Sequence, residues 1–153
     1  MTNDRSPAEI AERLSRRRGR ILMAQGMIFL FWQLTYYAWA QTPEPLRTVD
    51  HVKLSAWSFW VLALLVLITT GGGWFRGAEV RRLLNDELTR DNRARAQATG
   101  FLLAVLSGLA VFVVNQYIEP VSTLDAIHLI LSFAVGGAVL RFGLLERRGA
   151  REQ

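Results

Sequence analysis

Arg76 to Thr99 reads RGAEVRRLLNDELTRDNRARAQAT. This polar stretch divides the chain into halves that each carry two long apolar runs: Ile21–Ala40 and Leu54–Phe75 before it, Phe101–Ile118 and Ala126–Leu145 after it. A helix needs ~20 apolar residues to cross ~30 Å of hydrocarbon. With no water there to bond the backbone, each run must close its hydrogen bonds within itself, as a helix. The expected fold class is an all-α integral membrane protein, a four-transmembrane-helix bundle of two helical hairpins. Residues 1–19 read as an amphipathic N-terminal segment and 20–153 as the transmembrane domain, with spans near 21–40, 54–75, 101–118 and 126–145 and a cytoplasmic helix over 79–98 that extends into the third span.

The distribution of basic residues sets the orientation. Arg5, Arg13, Arg16, Arg17, Arg18 and Arg20 precede the first run. Arg76, Arg81, Arg82, Arg90, Arg93 and Arg95 lie in the central stretch, and Arg147, Arg148 and Arg151 follow the last run. The connection Gln41–Lys53 has only Arg47 and Lys53, offset by Glu44 and Asp50, and Glu119–Asp125 has no basic residue. Lys and Arg near span ends stay in the cytoplasm. Both termini and the central stretch are therefore expected inside (N-in/C-in) and the two short connections outside. Tyr36, Tyr37, Trp39, Trp57, Trp60 and Tyr117 fall where aromatic rings anchor spans at the outer interface. The net charge of +5 follows from these flanking arginines, which suit anionic phospholipid headgroups; no direct nucleic acid binding is expected.

Ser6-Pro7-Ala8-Glu9 reads as a capping box opening a short helix to about Arg18, with Ile10 and Leu14 on one face. Arg16-Arg17-Arg18 ahead of an apolar run, and Ala38-Trp39-Ala40 after it, imitate an export signal. Three further apolar runs favour an uncleaved anchor. Gly71-Gly72-Gly73 is expected to end or kink span two. Gly100, Ala104 and Gly108 in span three, with Ser132 and Gly136 in span four and Gly137 beside them, form stripes of small residues along which these spans are expected to pack. Arg18-Gly-Arg20 with Ala24-Gln25-Gly26 resembles Arg93-Ala-Arg95 with Ala96-Gln97 and Gly100, a short internal repeat relating the two hairpins.

Within the central stretch, Glu79–Ala98 contains no Pro or Gly. Val80, Leu83, Leu84 and Leu88 form a stripe at helical spacing. Asp86–Arg90 and Asp91–Arg95 are acid-before-base pairs four residues apart. The candidate partner-binding residues are Arg81, Arg82, Leu83, Leu84, Asp86, Glu87, Leu88, Arg90, Arg93 and Arg95. Leu84-Asn85-Asp86-Glu87-Leu88-Thr89-Arg90, Arg93-Ala-Arg95-Ala96, Gly100-Phe101 and the tail Arg141–Arg148 resemble small four-span bacterial inner-membrane proteins of unknown function. Several of these are similar to proteins encoded beside helix-turn-helix regulators. The resemblance implies a regulatory protein partner, such as a DNA-binding regulator, and fixes no catalytic residue.

The sequence lacks the usual marks of chemistry. There is no cysteine, so no disulfide, thiol redox step or Cys-ligated metal. His51 and His128 fit no ligand spacing, and no nucleophile triad or phosphate loop is legible. No cofactor or metal is expected, and the middles of the four runs hold no Asp, Glu, Lys or Arg, the residues that mark ion routes. The expectation is a non-enzymatic protein that binds or scaffolds a partner through its basic cytoplasmic face. Alternatives are a small oligomeric transporter or channel, with a polar path around Gln33, Thr69, Thr70 and His128, and an enzyme acting on lipid or quinone near Arg141. In this cysteine-free chain, a cysteine at Ser122 is expected to react with impermeant maleimide outside intact spheroplasts, and one at Asn85 only after lysis. The opposite pattern would invert the orientation.

Overall fold

The structure, a computed structural model, describes residues 7–39, 48–71 and 87–152. Among the described residues it is all helical, with four α-helices: α1 (Pro7–Trp39), α2 (Thr48–Thr70), α3 (Glu87–Tyr117) and α4 (Thr123–Glu152). Helices α2, α3 and α4 are long and apolar enough to cross a membrane. α1 has the length, at 33 residues, but Gln25, Gln33 and Thr35 dilute its apolar run.

The ends of these helices have local causes. α1 begins at Pro7, which suits a first helical position because its missing N–H would have no partner there. It continues without a break into the apolar run, so the polar N-terminal part and the first run are one rod. α2 begins ahead of Leu54, since nothing in Val49–Lys53 breaks a helix. It stops at Gly71, whose φ of 74° turns the chain left-handed while its N–H still reaches Leu67 O at 3.0 Å. α3 carries the polar residues from Glu87 through Gly100 into the apolar run as a single helix. Ser122 caps α4: its Oγ accepts from Asp125 N at 3.1 Å and donates to Asp125 Oδ2 at 2.6 Å.

α4 is the central helix. α1 and α3 each pack along its length, while α2 touches it more sparingly and comes close to α3 at only a few positions. Gly26 of α1 lies on Leu140 and Gly143 on Met23, and Gly100 of α3 lies on Ala134 and Ala138. Position numbers rise along α1 and α3 as they fall along α4, so both run antiparallel to it and parallel to each other. α2 runs back alongside, with Trp57 near Ser132 and Gly71 near Arg18. The core lies mainly among α1, α2 and α4: Leu22 and Phe29, then Trp57, Val61, Leu64 and Ile68 at alternating intervals of four and three, then Val135, Val139 and Phe142, with Ala96 of α3 at its edge. Phe29 and Trp60 meet edge to face at 5.4 Å, joining α1 to α2.

The outer faces are apolar. Phe59 and Leu62 of α2 and Phe101, Leu102, Leu106, Leu109 and Phe112 of α3 are all more than half exposed. A water-soluble protein of this size would not present so much contiguous apolar surface; hydrocarbon is the solvent that these faces fit.

The α1/α4 contact is set by glycine. A Cβ on Gly143 would stand 2.6 Å from Met23 N and 3.0 Å from Gly19 O, and one on Gly26 would stand 3.0 Å from Leu140 N. These are backbone atoms, which cannot swing aside. α4 meets α3 through Gly100, as the sequence suggests, but not through Ser132 and Gly136. Gly136 faces Leu30 and Phe29 of α1, and Ser132 bonds Trp57 of α2; Gly137, one residue on and about 100° around the helix, faces Leu103 of α3. Gly100 is buried against Ala134 O, Ala104 is half-buried, and Gly108 is loosely packed: a Cβ there would meet only Ile130 Cδ1, at 3.9 Å. Gly143→Val is therefore expected to destabilise the folded protein in detergent by roughly 1–3 kcal/mol through overpacking. Gly108→Ala is expected to be neutral or to gain up to about 1 kcal/mol of helix propensity. Equal effects in thermal or denaturant unfolding would contradict the packing described.

Candidate functional site

Two polar clusters lie at opposite ends of the bundle. The first centres on Arg18 of α1, at the end where α2 stops. Its guanidinium bonds Glu146 of α4 with both Nε (3.0 Å) and Nη2. Nη2 also donates to Thr89 Oγ1 of α3 at 3.0 Å, and Nη1 points to Gly71 O, just past α2, at 3.4 Å. The charge lies 5.8 Å from the centre of the Phe142 ring. Asn92 of α3 donates to the other oxygen of Glu146, Oε1, at 3.2 Å. One side chain thus bonds α3, α4 and the residue that ends α2. The Glu146 side chain is 2% exposed and that of Arg18 12%. A buried ion pair survives desolvation only when further hydrogen bonds satisfy its remaining atoms, and Asn92 and Thr89 supply these.

This cluster answers where the polar part of α3 goes. Thr89, Asn92 and Ala96 are buried, so its inward face is docked on α1 and α4. The outward face presents Glu87, Arg90, Asp91 and Arg95, all exposed. Asp91 and Arg95 pair at 2.9 Å, in the open, where such a pair contributes little. Arg93 turns toward α2 and donates to Thr69 O at 3.1 Å, a cation on the C-terminal carbonyls of that helix. Leu88 is 45% exposed, with Cδ2 close to Gly149. Arg17 and Arg20 of α1 and Arg147 and Arg148 of α4 are exposed at the same end. Of the candidate partner-binding residues, Arg81, Arg82, Leu83, Leu84 and Asp86 lie outside the described residues.

The second cluster joins Gln33, Trp57, His128 and Ser132 from α1, α2 and α4. Of the residues that a transport path would use, Gln33 and His128 are buried here together. Thr69 and Thr70 lie at the other end of α2 and bond back to its own carbonyls, Leu65 O (2.9 Å) and Val66 O (2.6 Å). Between the two ends the core is filled by Leu22, Phe29, Val139 and Phe142. Arg141 is half-buried; the carboxylate of this region, Glu146, belongs to Arg18. Among the described residues no group of His, Asp and Glu is placed to hold a metal ion.

By sequence alone Arg18 reads as a topological flank, and Thr89, Asn92 and Glu146 carry no assigned role. One signal was available. Glu146 is an acidic residue directly beside Arg147 and Arg148, in a tail where basic residues serve the topology. Its position on the same face of α4 as Val139 and Phe142 points it inward. No family, curated protein or solved structure matches this chain. Arg18→Ala is expected to cost on the order of 3–5 kcal/mol of stability, because it leaves Glu146 buried and unpaired. Arg18→Met with Glu146→Leu is expected to recover most of that loss in the same unfolding assay; no recovery would mean that the pair is not the source of the stability.

Proposed function

We propose that this is a four-span protein of the bacterial inner membrane, N-in and C-in, that acts without catalysis by binding a soluble partner on its basic cytoplasmic face. The observation that carries the reading is the docking of the polar part of α3. The ends of α1, α3 and α4 lie together where α2 stops, fastened by Arg18 and Glu146. Their inward faces bond one another, and Arg17, Arg20, Arg90, Arg147 and Arg148 remain exposed. The same end is the one that the distribution of arginines assigns to the cytoplasm. A preorganised helical surface loses less conformational entropy on binding than a flexible loop.

An exposed set of guanidinium groups suits an acidic protein surface, since each presents a planar fork of donors that fits carboxylate. A cytoplasmic regulator is the partner class that the sequence resemblance implies. The two-hairpin arrangement in this reading pairs α1 with α2 and α3 with α4, with α4 closing the bundle against α1.

Purification of the tagged protein from its native host in mild detergent, followed by mass spectrometry, is expected to recover a soluble protein in stoichiometric amount. The variant Arg90→Glu, Arg147→Glu, Arg148→Glu is expected to lose it while keeping its membrane abundance and maleimide-labelling pattern. Equal recovery with the variant, or a homo-oligomer with no partner, would refute the reading.

A further inference from the structure

The second cluster contains an unmet hydrogen-bonding group. Gln33 of α1 is turned into the bundle and is 5% exposed. Its Oε1 faces His128 Nε2 of α4 at 2.5 Å. The His128 ring stacks on Trp57 of α2, with centroids 4.1 Å apart and planes 16° from parallel. Trp57 Nε1 in turn donates to Ser132 Oγ at 3.3 Å. Trp57, His128 and Ser132 are therefore held by one another and by Gln33 Oε1. Gln33 Nε2 is buried with no hydrogen-bond partner, and among the described residues it is the only buried side-chain nitrogen or oxygen in that state.

Folded proteins leave few buried polar groups unpaired, because a carboxamide removed from water without its bonds is strongly disfavoured. The other buried polar side chains follow that rule. Glu146 has Arg18 and Asn92, and Ser107 bonds Leu103 O. Turning the carboxamide over would not remove the mismatch. His128 Nε2 can meet only one end of it, so the flip would trade an unmet donor for an unmet acceptor. An apolar side chain could fill this position in the helix interface with no such penalty.

We propose that Gln33, with the stacked rings of His128 and Trp57 beside it, forms a binding site for one small neutral hydrogen-bond acceptor held on Gln33 Nε2. Two sources share this chemistry: a water molecule, and the carbonyl oxygen of a membrane-soluble compound such as a quinone. Both are uncharged, as the apolar core of the bundle requires. The site lies at the opposite end of the bundle from the basic face and does not depend on the partner-binding reading.

The test uses the full-length protein in lipid nanodiscs, with glutamine side chains labelled with nitrogen-15. The Gln33 NH2 signal is assigned by its loss in Gln33→Met or in Gln33→Glu, which keeps the acceptor facing His128. A cross peak between the Gln33 NH2 protons and water would support the site and identify water as the occupant. A shift of the same signal on adding a short-chain quinone, absent with the quinol ether that lacks carbonyls, would support the site and identify a carbonyl compound. A Gln33 NH2 group with neither water contact nor shift would overturn the proposal.

Discussion

Gly143 has no side chain, and the backbone of Met23 occupies the space one would need. That contact fixes α1 against α4 at backbone distance, and the rest of the bundle follows from it. In hydrocarbon the apolar side chains of two helices gain nothing by leaving solvent, since lipid is as apolar as they are. Close packing and hydrogen bonds must do the work instead. Gly26 on Leu140 and Gly136 on Leu30 and Phe29 extend the approach along the pair. α3 joins the other flank of α4 by the same means, through Gly100 against Ala134 and Gly137 against Leu103. α2 has no glycine inside its helix and packs through larger side chains, which is consistent with its looser place.

Close packing alone does not choose a register. Gly19 and Gly26, like Gly136 and Gly143, are seven residues apart, so a slide of one heptad would present glycine to similar surroundings. The polar contacts remove that ambiguity. Arg18 meets Glu146 at one end and Gln33 meets His128 at the other. Buried polar pairs are best attested in this role of specifying one arrangement, whatever their net contribution to stability. The Arg18 cluster has a second consequence: by taking Thr89 and Asn92 inward it decides which face of α3 is left exposed.

Much of this was legible in the residues. The apolar runs of the last three helices stand out because the length needed to cross hydrocarbon is fixed. The continuity of α3 across Gly100 follows from a stretch without helix breakers, the Asp91–Arg95 pair from its spacing, and the end of α2 from Gly71. The capping of α4 by Ser122 and Asp125 is equally local. What could not be read was which helix lies between the others. Hydropathy is a property of one helix, whereas the contact of Arg18 with Glu146 joins residues 128 apart. The difference between Gly136 and Gly137 is one step around a helix, which a stripe of small residues does not resolve. The candidate site was legible only on its outward face, at Glu87, Arg90 and Arg95; the residues that dock it needed the tertiary structure.

Neighbouring residues on α4 give the most direct test of its central position. In the cysteine-free chain, oxidation of Leu30→Cys with Gly136→Cys, and separately of Leu103→Cys with Gly137→Cys, should form disulfides within one molecule. The crossed pairs, position 30 with 137 and position 103 with 136, should not. Efficient crosslinking of the crossed pairs, or crosslinks found only between molecules, would contradict an α4 held between α1 and α3.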